Sequence, residues 1–316
     1  MWIYFANKEK TYSKWEQTET EFGIEKVNER QLIEYIREAN DSGRMNYVFK
    51  NTLEALNKLN LLTKSGKLNN AGYYLFGNDG PIILKEAIYP TSGRTTFTDL
   101  KQYKGNILEC INEAIKYILN NIHYHAEIVG NKRLETPEVP QEAIREIVVN
   151  SFAHCRYQEG DYNEVTISPT EIKVYNPGNI LMDIDPKDFA TGKVGSKIRN
   201  PLIATTLFKN KYIDAFGTGF DRVFKLCEDA NIKYKYNANE FGFSFIFVRN
   251  KNDKINDKIN DKINSLDEQI ISLLAKNEYL TIPAIAKITL KSPATIQRHL
   301  EALALKGKIK REGSRK

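Results

Sequence analysis

The chain has 316 residues, 41% hydrophobic and 27% charged, and contains no apolar run near the roughly 18 residues that a membrane span requires. This excludes a membrane protein, and the length predicts two or three domains. The net charge is +6, and residues 265–316 carry ten lysines and arginines against five aspartates and glutamates, so +5 of it lies there. Any contact with nucleic acid is therefore expected at the C-terminal end.

The N-terminal residues and the cysteines indicate the compartment. Residues 1–8 lack the basic start and the small-residue cleavage site of a signal peptide. The cysteines are far apart and include no Cys-x-x-Cys pair, so we expect buried thiols rather than disulfides or zinc ligands. They are Cys110, Cys155 and Cys227. A cytoplasmic protein is expected.

The first half of the chain is predicted to contain several helices. Val48 and the leucines at residues 53, 56, 59 and 62 have helical spacing and predict a helix over residues 45–62, followed by a turn and a short segment that ends at residue 77. This part could form a small winged-helix-like unit, but it has no basic cluster, so a structural role is expected. Apolar residues at helical spacing over residues 107–118 predict a longer amphipathic helix.

A helix predicted over residues 141–154 carries Glu146 and Asn150 on one face, because they are four residues apart. An amide oxygen is a suitable Mg²⁺ ligand and a carboxylate can polarise a water molecule. The pair therefore suits a magnesium-phosphate site, although the same spacing is also typical of a solvated helix face.

A β-hairpin over residues 164–175 and two glycine-bearing segments follow this helix. The hairpin ends in Asn-Pro-Gly at residues 176–178, a turn that a planar ligand can approach closely. Residues 188–201 are rich in glycine and basic residues, which suits a lid over phosphates. Gly-Thr-Gly at residues 217–219 precedes a helix whose N-terminus would face an anion.

A linker and a small basic domain complete the chain. Asn-Asp-Lys-Ile repeats three times from residue 252, and the linker is predicted to be either helical or a flexible tether. Helices are predicted over residues 265–276 and 282–288, and a third begins at Pro293 with Ser292 as its cap. With a strand over residues 308–313, this order resembles a winged helix-turn-helix.

The third helix of this domain supplies the candidate DNA contacts. Its N-terminal half would meet base edges, and the wing would meet phosphates. The alternative is a helical protein-interaction module with solvated lysines. The candidate DNA-binding residues are Thr295, Gln297, Arg298, His299, Lys308, Lys310 and Arg311.

The order of the motifs in residues 140–219 resembles the nucleotide-binding domain of the GHKL (Bergerat-fold) superfamily, which gyrases and histidine kinases share. More narrowly, residues 140–154, 176–178, 196–201 and 213–219 are similar to a branch of bacterial and archaeal transcriptional regulators. In that branch a Schlafen-like AlbA domain usually precedes the GHKL-like domain, and a winged helix often follows it. The resemblance covers residues 44–249.

This resemblance implies an α+β fold: a GHKL-like α/β sandwich, with a mixed or antiparallel sheet and helices on one face, plus the C-terminal winged helix-turn-helix. It also implies ATP and Mg²⁺ as ligands, with Glu146 as the general base that activates water and Asn150 as the metal ligand. The wider superfamily has Asp where this chain has Asn176, so the contact to adenine would lack a charge. The implied nucleotide-binding residues are Asn150, Asn176, Gly178, Gly192, Gly195, Lys197, Arg199, Asn200, Gly217, Thr218 and Gly219.

The expected domains follow from these motifs. Residues 1–43 are too few for the AlbA-like domain and are expected to be the remnant of a truncated one. The remaining parts are a helical or winged-helix-like connecting region (44–130), the GHKL-like domain (131–250), the linker (251–264) and the winged helix-turn-helix (265–316).

We therefore expect a DNA-binding transcriptional regulator that senses ATP or a related ligand and acts as a homo-oligomer. One alternative is a slow Mg²⁺-dependent ATPase that uses Glu146. Another is a degenerate scaffold that binds no nucleotide. The chain has neither a P-loop nor a Gly-x-Ser-x-Gly motif, which excludes P-loop ATPases and argues against a serine hydrolase.

Overall fold

The computed structural model divides the chain into two compact units, Met1–Arg249 and Asn250–Lys316. The boundaries expected after residues 43 and 130 both fall inside the first unit, and the expected linker lies outside the described residues. The structure describes residues 15–91, 95–129, 132–157, 161–178, 198–212 and 219–249 of the first unit, and most of residues 266–310 of the second.

The first unit contains a six-stranded mixed sheet and a separate two-stranded ribbon. The sheet has the order β2-β1-β5-β6-β8-β7, in which β1 and β5 are parallel and the other neighbours are antiparallel. The ribbon pairs β3 with β4. The strands are β1 (Ile82–Ile88), β2 (Asp99–Gly105), β3 (Tyr124–Val129), β4 (Lys132–Pro137), β5 (Asn163–Ile167), β6 (Glu171–Pro177), β7 (Lys233–Ala238) and β8 (Gly242–Val248).

Three helices form a layer on the sheet. The first contacts β1 and β2, the second contacts β6, the third contacts β7, and the second packs against both others. They are α4 (Ile107–Asn120), α5 (Gln141–Ala153) and α7 (Gly219–Asp229); further helices of this unit include α1 (Glu29–Asp41), α2 (Thr52–Lys58), α3 (Asn70–Phe76) and α6 (Pro201–Lys209). The predicted α+β class with a mixed sheet is confirmed, as are the hairpin β5–β6 and the helices α4 and α5.

Residues before β1 pack into the body of the first unit, since α1 buries Leu32, Tyr35 and Ile36 in the core that also holds the sheet. The helix expected over residues 45–62 was too long. The Asn51 side chain accepts a hydrogen bond from the Glu54 amide at 2.9 Å, so α2 starts there. Residues 45–50 are described and are not helical.

The second unit contains α8 (Ile282–Thr289) and α9 (Pro293–Leu305), preceded by residues 266–275, which are helical wherever the structure describes them. The predicted cap of α9 is confirmed, because the Thr295 amide donates to Ser292 Oγ at 3.2 Å. Of the strand expected over residues 308–313, residues 308–310 are described and do not form one. None of the described helices is long and apolar enough to cross a membrane.

Candidate functional site

The centre of the candidate site is a polar pair in the middle of α5. Most other side chains of this helix are apolar and buried against the neighbouring helices and the sheet. Glu146 is also buried, with 8% of its surface exposed, and the Asn150 amide nitrogen donates to its Oε1 at 3.0 Å. The alternative of a solvated helix face does not fit this burial. Because the amide nitrogen faces Glu146, the Asn150 carbonyl oxygen is turned away from that carboxylate.

The first residue of α7, Gly219, lies directly against this pair. A Cβ atom at position 219 would lie 3.1 Å from Asn150 Nδ2 and closer still to Glu146 Oε1. A side chain here would therefore displace either the helix or the pair. The N-terminal turn of α7, with amide groups that have no partner within the helix, is thus brought next to a buried carboxylate and a half-buried amide.

A second part of the site lies at the end of β6. Asn176 is buried, with 3% exposed, and its amide nitrogen donates to the Pro177 carbonyl at 3.1 Å. Gly178 has a φ of +94°, in the region that favours glycine, and its amide donates to the Phe241 carbonyl at 2.9 Å. A Cβ at position 178 would lie 2.5 Å from Arg199 Nη1, so the turn allows the guanidinium to approach the backbone.

Arg199 and Asn200 lie at the start of α6 and are almost completely buried, each with 2% exposed. Arg199 is next to His154, and burial together with the guanidinium charge lowers the pKa of that histidine to about 4. His154 is therefore neutral at physiological pH. Asn200 donates to the carbonyls of Ala153 at 3.0 Å and Cys155 at 2.8 Å, and so joins α6 to the end of α5.

Helix α5 joins the two parts of the site, because the main-chain carbonyl of Asn150 accepts a hydrogen bond from the main-chain amide of His154 one turn further on. The structure thus places Glu146, Asn150 and Gly219 together, and Gly178 with Arg199 at the end of the same helix. The remaining predicted ligand residues lie outside the described part of the chain. They are Gly192, Gly195, Lys197, Gly217 and Thr218.

The candidate DNA-binding residues of α9 lie at its first two turns. Gln297 and Arg298 are exposed, and Thr295 and His299 are half-buried. The Gln297 side chain donates to Glu301 Oε1 at 3.1 Å. Beyond the helix, Lys308 and Lys310 are exposed, and Arg311 lies outside the described residues.

One functional candidate was missed in the sequence. Glu16 has no exposed surface and accepts hydrogen bonds from the Leu202 and Ile203 amides at the start of α6. Burial raises its pKa to about 7, while these two hydrogen bonds act in the opposite direction. No local pattern marks this residue, because its partners are more than 180 residues away in the chain.

Two segments match protein-family models. Residues 160–246 match the family described as "Putative ATP-dependent DNA helicase recG C-terminal", and residues 263–310 match "Winged helix-turn-helix DNA-binding". An ATPase-like domain is therefore followed by a winged helix-turn-helix. The first match includes Asn176, Gly178 and Gly219 and begins after α5.

Among solved structures, the chain is similar to the DIP2311 protein from Corynebacterium diphtheriae. The TM-score is 0.60 with 17% sequence identity, over 90% of this chain and 59% of that one. At this identity the similarity shows a shared fold, and the chain spans less than two thirds of that structure's length. No curated protein sequence significantly matches the chain.

Proposed function

We propose that the chain is a DNA-binding regulator whose first unit is a GHKL-like domain that binds ATP with Mg²⁺ and whose second unit binds DNA. The observation that carries the ligand half is the contact of Gly219 with the hydrogen-bonded pair of buried Glu146 and half-buried Asn150. A buried carboxylate and a half-buried amide beside a helix N-terminus form a polar site in an otherwise apolar layer, and such a site favours a ligand that combines phosphate with a cation.

Each part of the site has a role in this proposal. Asn150 would hold Mg²⁺ through its carbonyl oxygen, the kind of ligand this ion prefers, and Mg²⁺ would neutralise phosphate charge. The amide groups of the first turn of α7 would face the phosphates. Asn176 and Gly178 would lie beside the base, where the positive φ of residue 178 favours glycine and the lack of a side chain leaves its backbone accessible.

The DNA half rests on the exposed residues of α9 and on the match of residues 263–310 to a winged helix-turn-helix family. Arg298 and Gln297 lie in the first half of the helix, where recognition helices meet base edges. Lys308 and Lys310 follow it and suit phosphates. A homo-oligomer belongs to the proposal, since two such domains would match two half-sites.

A second candidate is a slow ATPase, and the position of Glu146 favours it. A buried carboxylate held by Asn150, next to the proposed phosphate position, suits a general base. In that case the first unit would hydrolyse ATP rather than only sense it.

Titration of the full chain with Mg-ATP tests the ligand half. At ligand concentrations about a hundredfold above Kd, binding to the native state should raise the Tm by roughly 5 °C or more. Asn150→Ala should lose this shift, whereas Asn57→Ala, at an exposed helical asparagine, should keep it. A wild-type Tm that does not change at millimolar Mg-ATP would contradict ATP binding.

Phosphate release separates the two candidates. The ATPase proposal expects slow release by the wild type and its loss in Glu146→Ala, while that variant still binds ATP. Equal background rates in both proteins would contradict the ATPase proposal and leave the proposal of an ATP sensor.

A further inference from the structure

The start of α6 is capped in an unusual way. Asparagine is among the preferred N-cap residues, and Asn200 occupies that position. Its side chain makes no capping hydrogen bond, because it is bound to the carbonyls of Ala153 and Cys155. The first amides of α6 therefore need another acceptor.

Glu16 supplies that acceptor from the N-terminal segment. Its Oε2 accepts from the Leu202 amide at 3.1 Å and its Oε1 from the Ile203 amide at 2.9 Å. A carboxylate at this position also interacts favourably with the positive end of the helix dipole. The segment that carries Glu16 is thus fixed to the first turn of α6.

The neighbouring residue fixes the same segment to α5. The ring of Trp15 stacks on Tyr157, with centroids 5.4 Å apart and planes at 19°, and meets the edge of Tyr74 at 4.9 Å. The Tyr157 hydroxyl donates to the Phe152 carbonyl in the last turn of α5 at 2.6 Å. Residues 15 and 16 therefore connect the C-terminal end of α5 with the N-terminal end of α6.

Both of these helix ends belong to the candidate site. Arg199, whose guanidinium lies against Gly178, is three residues before Leu202, and α5 carries Glu146 and Asn150. Burying a carboxylate is costly unless hydrogen bonds compensate for the lost water. Glu16 has no exposed surface, so the two amides of α6 are the partners that make its burial tolerable.

We propose that Glu16 is a positioning residue of the candidate nucleotide site, because it holds the first turn of α6 where Arg199 reaches Gly178 and Asn200 reaches the end of α5. This inference rests on the proposed function for its effect on ligand affinity. It makes the N-terminal segment part of the scaffold of the site.

The test compares three variants of the full chain by calorimetric titration with Mg-ATP. Glu16→Ala should weaken binding about fivefold, the factor that corresponds to loss of an ordinary helix cap. Glu16→Gln keeps one carbonyl acceptor and should recover part of the affinity. Tyr35→Phe is the matched control: it removes the hydroxyl that donates to the Thr206 carbonyl in the same helix, at 3.0 Å, away from the first turn. It should lower the Tm and leave the affinity unchanged.

Two outcomes of this comparison would contradict the positioning role of Glu16. If the wild type binds and Glu16→Ala binds equally well, or if Tyr35→Phe weakens binding as much as Glu16→Ala does, the positioning role is wrong. If the wild type does not bind Mg-ATP, the proposed function fails, and amide hydrogen exchange decides the positioning role separately. The amides of residues 202 and 203 should then exchange faster in Glu16→Ala than in Tyr35→Phe, and equal exchange would overturn the inference.

Discussion

At position 219 the absence of a side chain determines how closely α7 approaches the Glu146–Asn150 pair. Elsewhere in a helix, alanine is more favourable than glycine by about 1 kcal/mol. Glycine at position 219 therefore allows α7 to approach the pair closely, although a residue with a side chain would favour the helix itself. The nearest atoms that a Cβ would meet belong to Glu146 and Asn150.

Gly219→Ala should consequently weaken Mg-ATP binding, because the new methyl group must push α7 or the pair aside. The Tm should fall or stay level despite the better helix propensity of alanine. Titration and thermal unfolding of the same variant measure both effects. A variant that is more stable than the wild type and binds with equal affinity would show that the close approach has no functional role.

A second residue, Glu86 on β1, makes the stability of the first unit depend on pH. It is 1% exposed, and neither carboxylate oxygen has a hydrogen-bond partner among the described residues. Burial, with a smaller contribution from the nearby carboxylate of Glu113, raises its pKa to about 7 against the opposing charge of Lys101. Since the pKa of an unfolded glutamate is about 4.3, the folded protein keeps a proton that the unfolded chain has already released.

Stability should therefore fall as the pH rises from about 4.5 to about 7. Glu86→Gln is neutral at every pH and lacks this loss, so its free energy of unfolding should gain on the wild type by roughly 2 kcal/mol between pH 5 and pH 8. Denaturant unfolding at the two pH values measures the difference, with Glu21→Gln as an exposed control. The raised pKa of Glu16 also makes stability fall with rising pH, but Glu16 is present in both proteins, so its contribution cancels in the comparison. Parallel pH curves for wild type and Glu86→Gln would contradict this account.

At the scale of elements, the sequence predicted those helices, turns and caps that depend on residues close together in the chain. The i,i+4 spacing in α5, the hairpin β5–β6 and the Ser292-Pro293 start of α9 depend on neighbours within a few residues. The predicted length of α2 was wrong because Val48 extends the helical spacing of the leucines to the N-terminal side of Asn51, whose side chain caps the start of the helix. Val48, in the part that is not helical, is 80% exposed.

The second unit should bind DNA through α9 and the residues that follow it. Arg298→Ala should cost about 1–3 kcal/mol at its preferred base pair and relax specificity there. Lys308→Ala should weaken binding equally on all sequences and reduce the slope of log K against log salt by about 0.9. Binding isotherms over a range of salt concentrations measure both. If neither substitution changes affinity or slope, the DNA surface lies elsewhere.

At the scale of the whole chain, contacts between segments far apart in the sequence were not predicted. The segment expected to be a domain remnant contributes α1 to the core and Glu16 to the start of α6. A contact over such a distance leaves no periodicity in either segment. The same holds for the contact of Gly219 with α5, which the motif order suggested only through the resemblance to a known superfamily.

The three cysteines, expected and found to be buried, can serve as probes of local unfolding in the helix layer. Cys110 lies in α4, Cys155 follows α5 by two residues, and Cys227 lies in α7, so each helix of the layer has its own thiol. Burial raises the pKa of all three, which suppresses reaction in the closed state. The order in which an alkylating reagent modifies them would therefore report which helix leaves the sheet first.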